Sequence, residues 1–129
     1  MRPQEEFKHI ANCCDQRKYV RYNDGAMCIC FKRQSFLHEL RKATEVDWIN
    51  FNQYGFCFSS DIRLEMCEQI IVNIKTPDLN MKGLVAIIHN ARRQGGKYRY
   101  GAQFYYGANS YMQSPDIQGT LAQIELDLK

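Results

Sequence analysis

The chain has 129 residues, 45% hydrophobic and 24% charged, with 17 Lys and Arg against 14 Asp and Glu for a formal net charge of +3. That length suits one domain with a buried core and leaves no room for two. The mild charge excludes a histone-like or polybasic membrane-binding chain and gives no ground for generic nucleic-acid binding.

Residues 1–12 are charged and aperiodic, a short helix or a loose tail, and the domain is expected over 13–129. The first residues hold no apolar core, so no signal peptide is expected. No run approaches the roughly 18 apolar residues of a membrane span, so a cytoplasmic protein is expected. Reduced thiols then follow for Cys13, Cys14, Cys28, Cys30, Cys57 and Cys67. None of these forms a C-x-x-C pair, and His9, His38 and His89 lie outside zinc-ligand spacing of them, so no metal is expected. Cys28 and Cys30 read as small hydrophobes on one face of a strand.

The run Gln16-Arg17-Lys18-Tyr19-Val20-Arg21 places two arginines four residues apart. That spacing puts Arg17 and Arg21 on one side of either a strand or a helix. Tyr22-Asn23-Asp24-Gly25 is a turn signal. A strand is predicted over Ala26–Phe31. Residues 34–45, with Phe36, Leu37 and Leu40, fit a helix or a strand, and the β pattern around them favours a strand.

Val46 and Trp48 share one predicted face and Ile49 and Phe51 the other, before a turn at Asn52-Gln53-Tyr54-Gly55. Phe56 and Phe58 resume the alternation, and Ile70, Val72 and Ile74 repeat it. Thr76-Pro77-Asp78 ends that strand. Leu84, Ala86 and Ile88 give the next, with Val85 and Ile87 opposite, and Gln94-Gly95-Gly96-Lys97 separates it from the last. There Tyr98, Tyr100, Ala102, Phe104 and Tyr106 form an apolar face, with Arg99, Gly101 and Gln103 on the other. The period then changes. Ser114 is a good N-cap, Pro115 suits the first turn, and Ile117, Leu121, Ile124 and Leu128 recur at helical spacing. Gly119 weakens this helix by about 1 kcal/mol against alanine. The apolar stripe must cover the barrel or a partner, a second copy included. Six or seven short strands and a terminal helix predict a mainly β fold, a small antiparallel barrel.

Arginine guanidinium groups take phosphate oxygens in paired hydrogen bonds, reach guanine O6 and N7 bidentately, and stack on flat rings. The Asn50 amide, at a strand end, donates and accepts at once, as a guanine edge requires. Asn52 follows on the same side, and Gly55 admits a backbone conformation and a close approach that other residues resist. The plain alternative is a solvated arginine pair and an ordinary turn.

On these residues the chain resembles the PilZ domain family, whose pattern is R-x-x-x-R followed by [D/N]-x-S-x-x-G. Arg17 and Arg21 match the first motif, with Gln16 before it, and Asn50 and Gly55 match the ends of the second. Tyr100-Gly101-Ala102-Gln103-Phe104 is similar to the family's closing strand and Gly83–Ala91 to the strand before it, so the likeness spans roughly residues 15–107. The resemblance implies a six-stranded antiparallel β-barrel with an attached C-terminal helix, at about 115–128. It also implies a bacterial receptor for the second messenger cyclic di-GMP, not an enzyme. Arg17, Arg21, Asn50, Asn52, Gly55 and Gln16 would form the ligand site, and a partner protein would read the change. Processes under such control include motility and biofilm formation. The family serine is Asn52 here, and a misplaced amide there is worth about 1–3 kcal/mol. Some family members bind only protein, so an adaptor without cyclic di-GMP is the alternative.

Two other readings are weaker. Single-stranded nucleic-acid binding would use exposed aromatics, but the alternation assigns Tyr98, Tyr100 and Phe104 to the core. An enzyme would need a nucleophile elbow, a Walker loop or a metal pair, none of which occurs. Glu45 and Asp47 read as solvated carboxylates and His89 as a structural residue.

Overall fold

A computed structural model of the protein describes residues 27–34 and 43–128. Six strands, β1 (Cys28–Arg33), β2 (Thr44–Asn52), β3 (Gly55–Ser60), β4 (Gln69–Lys75), β5 (Asn80–Gln94) and β6 (Lys97–Phe104), are followed by a short helix α1 (Ser110–Gln113) and a longer α2 (Pro115–Asp127). The strands close into an antiparallel barrel in the order β1-β2-β3-β6-β5-β4. Closure removes the unpaired edges that an open sheet would leave. The expected mainly β fold, a six-stranded barrel with a C-terminal helix, is therefore what the chain adopts. The segments 1–26 and 35–42 lie outside the described residues, and with them most of the stretch 34–45 read as a strand; its last residues, Thr44 and Glu45, open β2.

The period-two pattern fills the interior. Ile29, Phe31, Phe56, Phe58, Ile70, Val72, Ile74, Leu84, Ile88, Tyr100 and Phe104 are all buried, and the rings of Phe56, Phe58, Tyr100 and Phe104 touch in series. Tyr100 also carries a polar duty. Its hydroxyl donates to the Ile62 carbonyl at 2.8 Å and accepts the Leu64 N–H at 2.7 Å, which fixes the loop after β3 to the core. The same loop is held by Glu68, whose carboxylate takes Arg33 in a two-pronged pair at 2.7 and 2.9 Å.

One assignment of faces is corrected. Val46, Trp48 and Phe51 all point into the core, because the β2–β3 register shifts between Trp48 and Asn50. The bulge inserts one residue at Ile49, so the alternation restarts one place later. Val85, expected opposite the core face, is also buried. Met112 of α1 covers it, with sulfur 3.3 Å from its amide nitrogen. Tyr106, assigned to the β6 face, lies beyond the end of that strand.

Helix α2 begins as its sequence predicts. Ser114 Oγ accepts the Asp116 N–H at 3.2 Å and Pro115 occupies the first turn. Ile117, Leu121 and Ile124 are buried against the barrel and Leu128 is half-buried. This end of the barrel is where β2 turns into β3 and β4 into β5. Ile124 and Leu128 line a cavity of about 160 Å³ there with Met27, Pro77 and Leu79. The stripe covers the chain's own core. No helix among the described residues is long and apolar enough to cross a membrane.

Candidate functional site

The β2–β3 hairpin carries the second motif. Asn50 follows the bulge and pairs with Cys57, while Asn52 pairs with Gly55. Phe51 between them points into the core, so Asn50 and Asn52 both stand on the outer surface, half-buried. The expected common side for these two amides is thus realised. The bulge, which the sequence pattern does not announce, leaves that relation intact because it precedes both residues.

Asn52 has a task in the turn itself. Its Oδ1 accepts the Tyr54 N–H at 2.7 Å and the Gly55 N–H at 3.2 Å. This is an Asx turn, in which the side chain stands in for a backbone carbonyl. Gly55 differs from its expected role. Its φ is not in the left-handed region. What demands glycine is packing: a Cβ there would sit 2.2 Å from the Ala102 carbonyl oxygen on β6. The Tyr54 carbonyl also accepts the Phe104 N–H at 2.8 Å, so hairpin and β6 are drawn close.

The turn is then pinned from the helix side. The Gln53 N–H donates to Glu125 Oε1 at 2.9 Å, and Gln118 Nε2 donates to Gln53 Oε1 at 3.3 Å. The Tyr106 hydroxyl donates to the Gln53 carbonyl. Burial, with Tyr54 adding to it, pushes the Tyr106 phenol up to about 12. A phenol raised in the folded state stabilises the fold below its unfolded value near 10 and loses that contribution as pH rises from there towards 12. Wild-type protein should therefore lose more stability than Tyr106→Phe over that interval, measured by denaturant unfolding. Equal losses would remove Tyr106 as the cause.

From Asn50 a row runs along the outer side of the sheet through Cys57, Gly101 and Asn90 on four neighbouring strands, with Cys57 and Gly101 themselves buried. Gly101 keeps this row low. A Cβ there would meet the Asn90 Cβ at 3.2 Å and His89 Nε2 at 3.5 Å. Burial pulls the His89 imidazole below its ordinary range, so it favours the neutral form. Cys57 and Gly101 were not foreseen as neighbours of Asn50. The signal was present in the alternation, since Cys57 falls between core residues Phe56 and Phe58 and so lies on the opposite face of the strand.

Cys57 is disulfide-bonded, which corrects the expectation of a reduced thiol there. Cys28, Cys30 and Cys67 are free. Burial, with Glu45 adding to it, pushes the Cys28 and Cys30 thiols up, away from the thiolate a metal would need. No group of three or more His, Cys, Asp or Glu side chains among the described residues is arranged to hold a metal ion.

Arg17, Arg21 and Gln16 lie outside the described residues. The point where their segment enters the barrel is described. The Trp48 indole donates to the Met27 carbonyl at 3.0 Å. The chain thus joins β1 against the strand that carries Asn50, at the barrel end where Asn52 and Gly55 turn. Compared with protein-family models and with curated proteins, the sequence matches none.

Proposed function

We propose that this protein is a PilZ-type receptor for cyclic di-GMP. The outer face of the β2–β3 hairpin forms one wall of the site, and Arg17 and Arg21 close over the other. The observation that carries this reading is the Trp48–Met27 hydrogen bond, because it ties the entry of the arginine segment to the strand bearing Asn50. Arg21 precedes Met27 by six residues, an extended reach of roughly 20 Å. That distance spans the hairpin, so two guanidinium groups can meet the strand-end amides around one ligand.

The chemistry divides by residue. Asn50 offers a donor and an acceptor to a guanine edge. Asn52 has its oxygen engaged in the turn, so its contribution is the amide N–H₂, a donor suited to O6 or N7. The arginines take phosphate and the second guanine face, and Gln16 lies next to them. Gly55 supports the site by holding the hairpin against β6. Ligand binding orders the arginine segment, and a partner protein reads the difference between the two states. The engagement of Asn52 in the turn also favours a second reading, an adaptor that binds protein partners without the nucleotide.

Calorimetric titration with cyclic di-GMP separates the two. The wild type should bind, and Arg21→Ala should lose about tenfold to a hundredfold in affinity, the worth of a charge-assisted contact. Asn50→Ala should weaken binding without changing the thermal midpoint by more than a few degrees. Wild-type protein that gives no heat at high ligand concentration would leave the adaptor.

A further inference from the structure

The disulfide at Cys57 has a partner that cysteine arithmetic narrows to two. The chain has six cysteines, and Cys28, Cys30 and Cys67 are free. Cys13 and Cys14 remain, side by side in the stretch before β1, while residues 35–42 contain no cysteine.

Burial points the same way. Cys57 lies on the outer side of β3, between core residues Phe56 and Phe58, yet it is completely buried. Across the sheet it faces Asn50 and Gly101, and along its own strand Gly55 and Ser59. Two glycines and a serine are too small to shield a sulfur. Arg99, two places from Gly101 on the same side of β6, is buried as well. The longer helix, α2, lies against β2, so this part of the outer wall calls for other cover.

We propose that the stretch before β1 is a strap across the outer side of the β2–β3 hairpin, bolted to the barrel by a disulfide from Cys57 to Cys13 or Cys14. Its other end is fixed where the Trp48 indole donates to the Met27 carbonyl at 3.0 Å. Arg17 follows Cys14 by three residues and Cys13 by four, a reach of at most roughly 14 Å. Cys57 stands directly opposite Asn50, about 5 Å away across the strands. The bond therefore brings the first arginine within reach of the Asn50 amide. Opening it takes two electrons and two protons, which a dithiol supplies in becoming a disulfide itself. The strap is thus a redox-controlled element: closed, it holds the arginines over the hairpin, and open, it releases them. The effect on ligand affinity rests on the cyclic di-GMP reading; the bond does not.

Peptide mapping of the full chain, purified without reductant, tests the bond. Trypsin separates the cysteines onto His9–Arg17, Tyr22–Lys32, Ala43–Arg63 and Leu64–Lys75. A cross-linked pair of His9–Arg17 with Ala43–Arg63 should appear by mass spectrometry and separate on adding dithiothreitol. A Cys57 peptide found unlinked, joined to another peptide, or joined only in a covalent dimer would overturn the proposal. The Cys13→Ser/Cys14→Ser double variant is the permanently open form. Brief trypsin treatment of the native proteins should cut after Arg17, Lys18 and Arg21 about tenfold faster in the double variant and in reduced wild type than in oxidised wild type. Equal rates would remove the strap. Calorimetry with cyclic di-GMP reads the consequence: both open forms should bind about tenfold more weakly, since the tether preorganises the arginines. Equal affinity in open and closed forms would overturn redox control. A mapped bond and a protected strap with no ligand heat in any form would instead refute the receptor reading and leave the strap standing.

Discussion

Gly55→Ala is expected to destabilise the protein by about 3 kcal/mol, the upper end of the range for forcing atoms into a filled space. The added methyl would stand 2.2 Å from the Ala102 carbonyl oxygen. That oxygen belongs to the backbone of β6, so it cannot swing aside as a side chain would. Relief requires β3 and β6 to part where Gly55 pairs with Gln103 and Phe56 with Ala102. The thermal midpoint should fall by on the order of 10 °C. Because the Asx turn and the Tyr54–Phe104 hydrogen bond share this segment, the ligand binding proposed at Asn50 should weaken in parallel. A Gly55→Ala protein with wild-type stability would show that the two strands have slack at this point. It would then return glycine to the ligand-approach role expected from its motif.

Leu121→Ala should cost about 2–5 kcal/mol, the span seen when a buried leucine is truncated. Leu121 is completely buried, between Ile117 and Ile124 on the face that α2 turns to the barrel. The exposed Leu126, on the same helix, is the internal control, and Leu126→Ala should change stability by less than about 0.5 kcal/mol. Denaturant unfolding measures both. Near-equal effects would mean that α2 does not hold the barrel end, and that its stripe serves a partner instead. The comparison also bears on the hairpin, because Glu125 and Gln118 reach Gln53 only while α2 stays seated. Loss of α2 should therefore loosen the turn that presents Asn52.

The strands were legible because their side chains alternate. Ile70, Val72 and Ile74, or Leu84, Ala86 and Ile88, carry the interior face in plain view, and each is buried. The helix was legible for a different reason, since Ser114 and Pro115 mark its start and the stripe has a helical period. Reading by alternation failed at Phe51, where a bulge shifts the phase, and at Val85, where Met112 covers a face that would otherwise be outside. A bulge has no composition of its own, and cover from a distant helix leaves no trace in the strand it covers.

The candidate site divides in the same way. The common face of Asn50 and Asn52 was readable from their spacing, and their amide chemistry from residue type. What Asn52 and Gly55 do within the hairpin was not.

Local order along the chain determined the period of each strand, the caps of the helix and the chemistry on offer, since these depend on neighbours a few places away. Only the tertiary structure decided that Gly55 is held to glycine by a carbonyl 47 residues further on and that α2 seals the core it follows. Those outcomes arise from contacts between segments far apart in sequence, and close packing enforces them across the barrel wall.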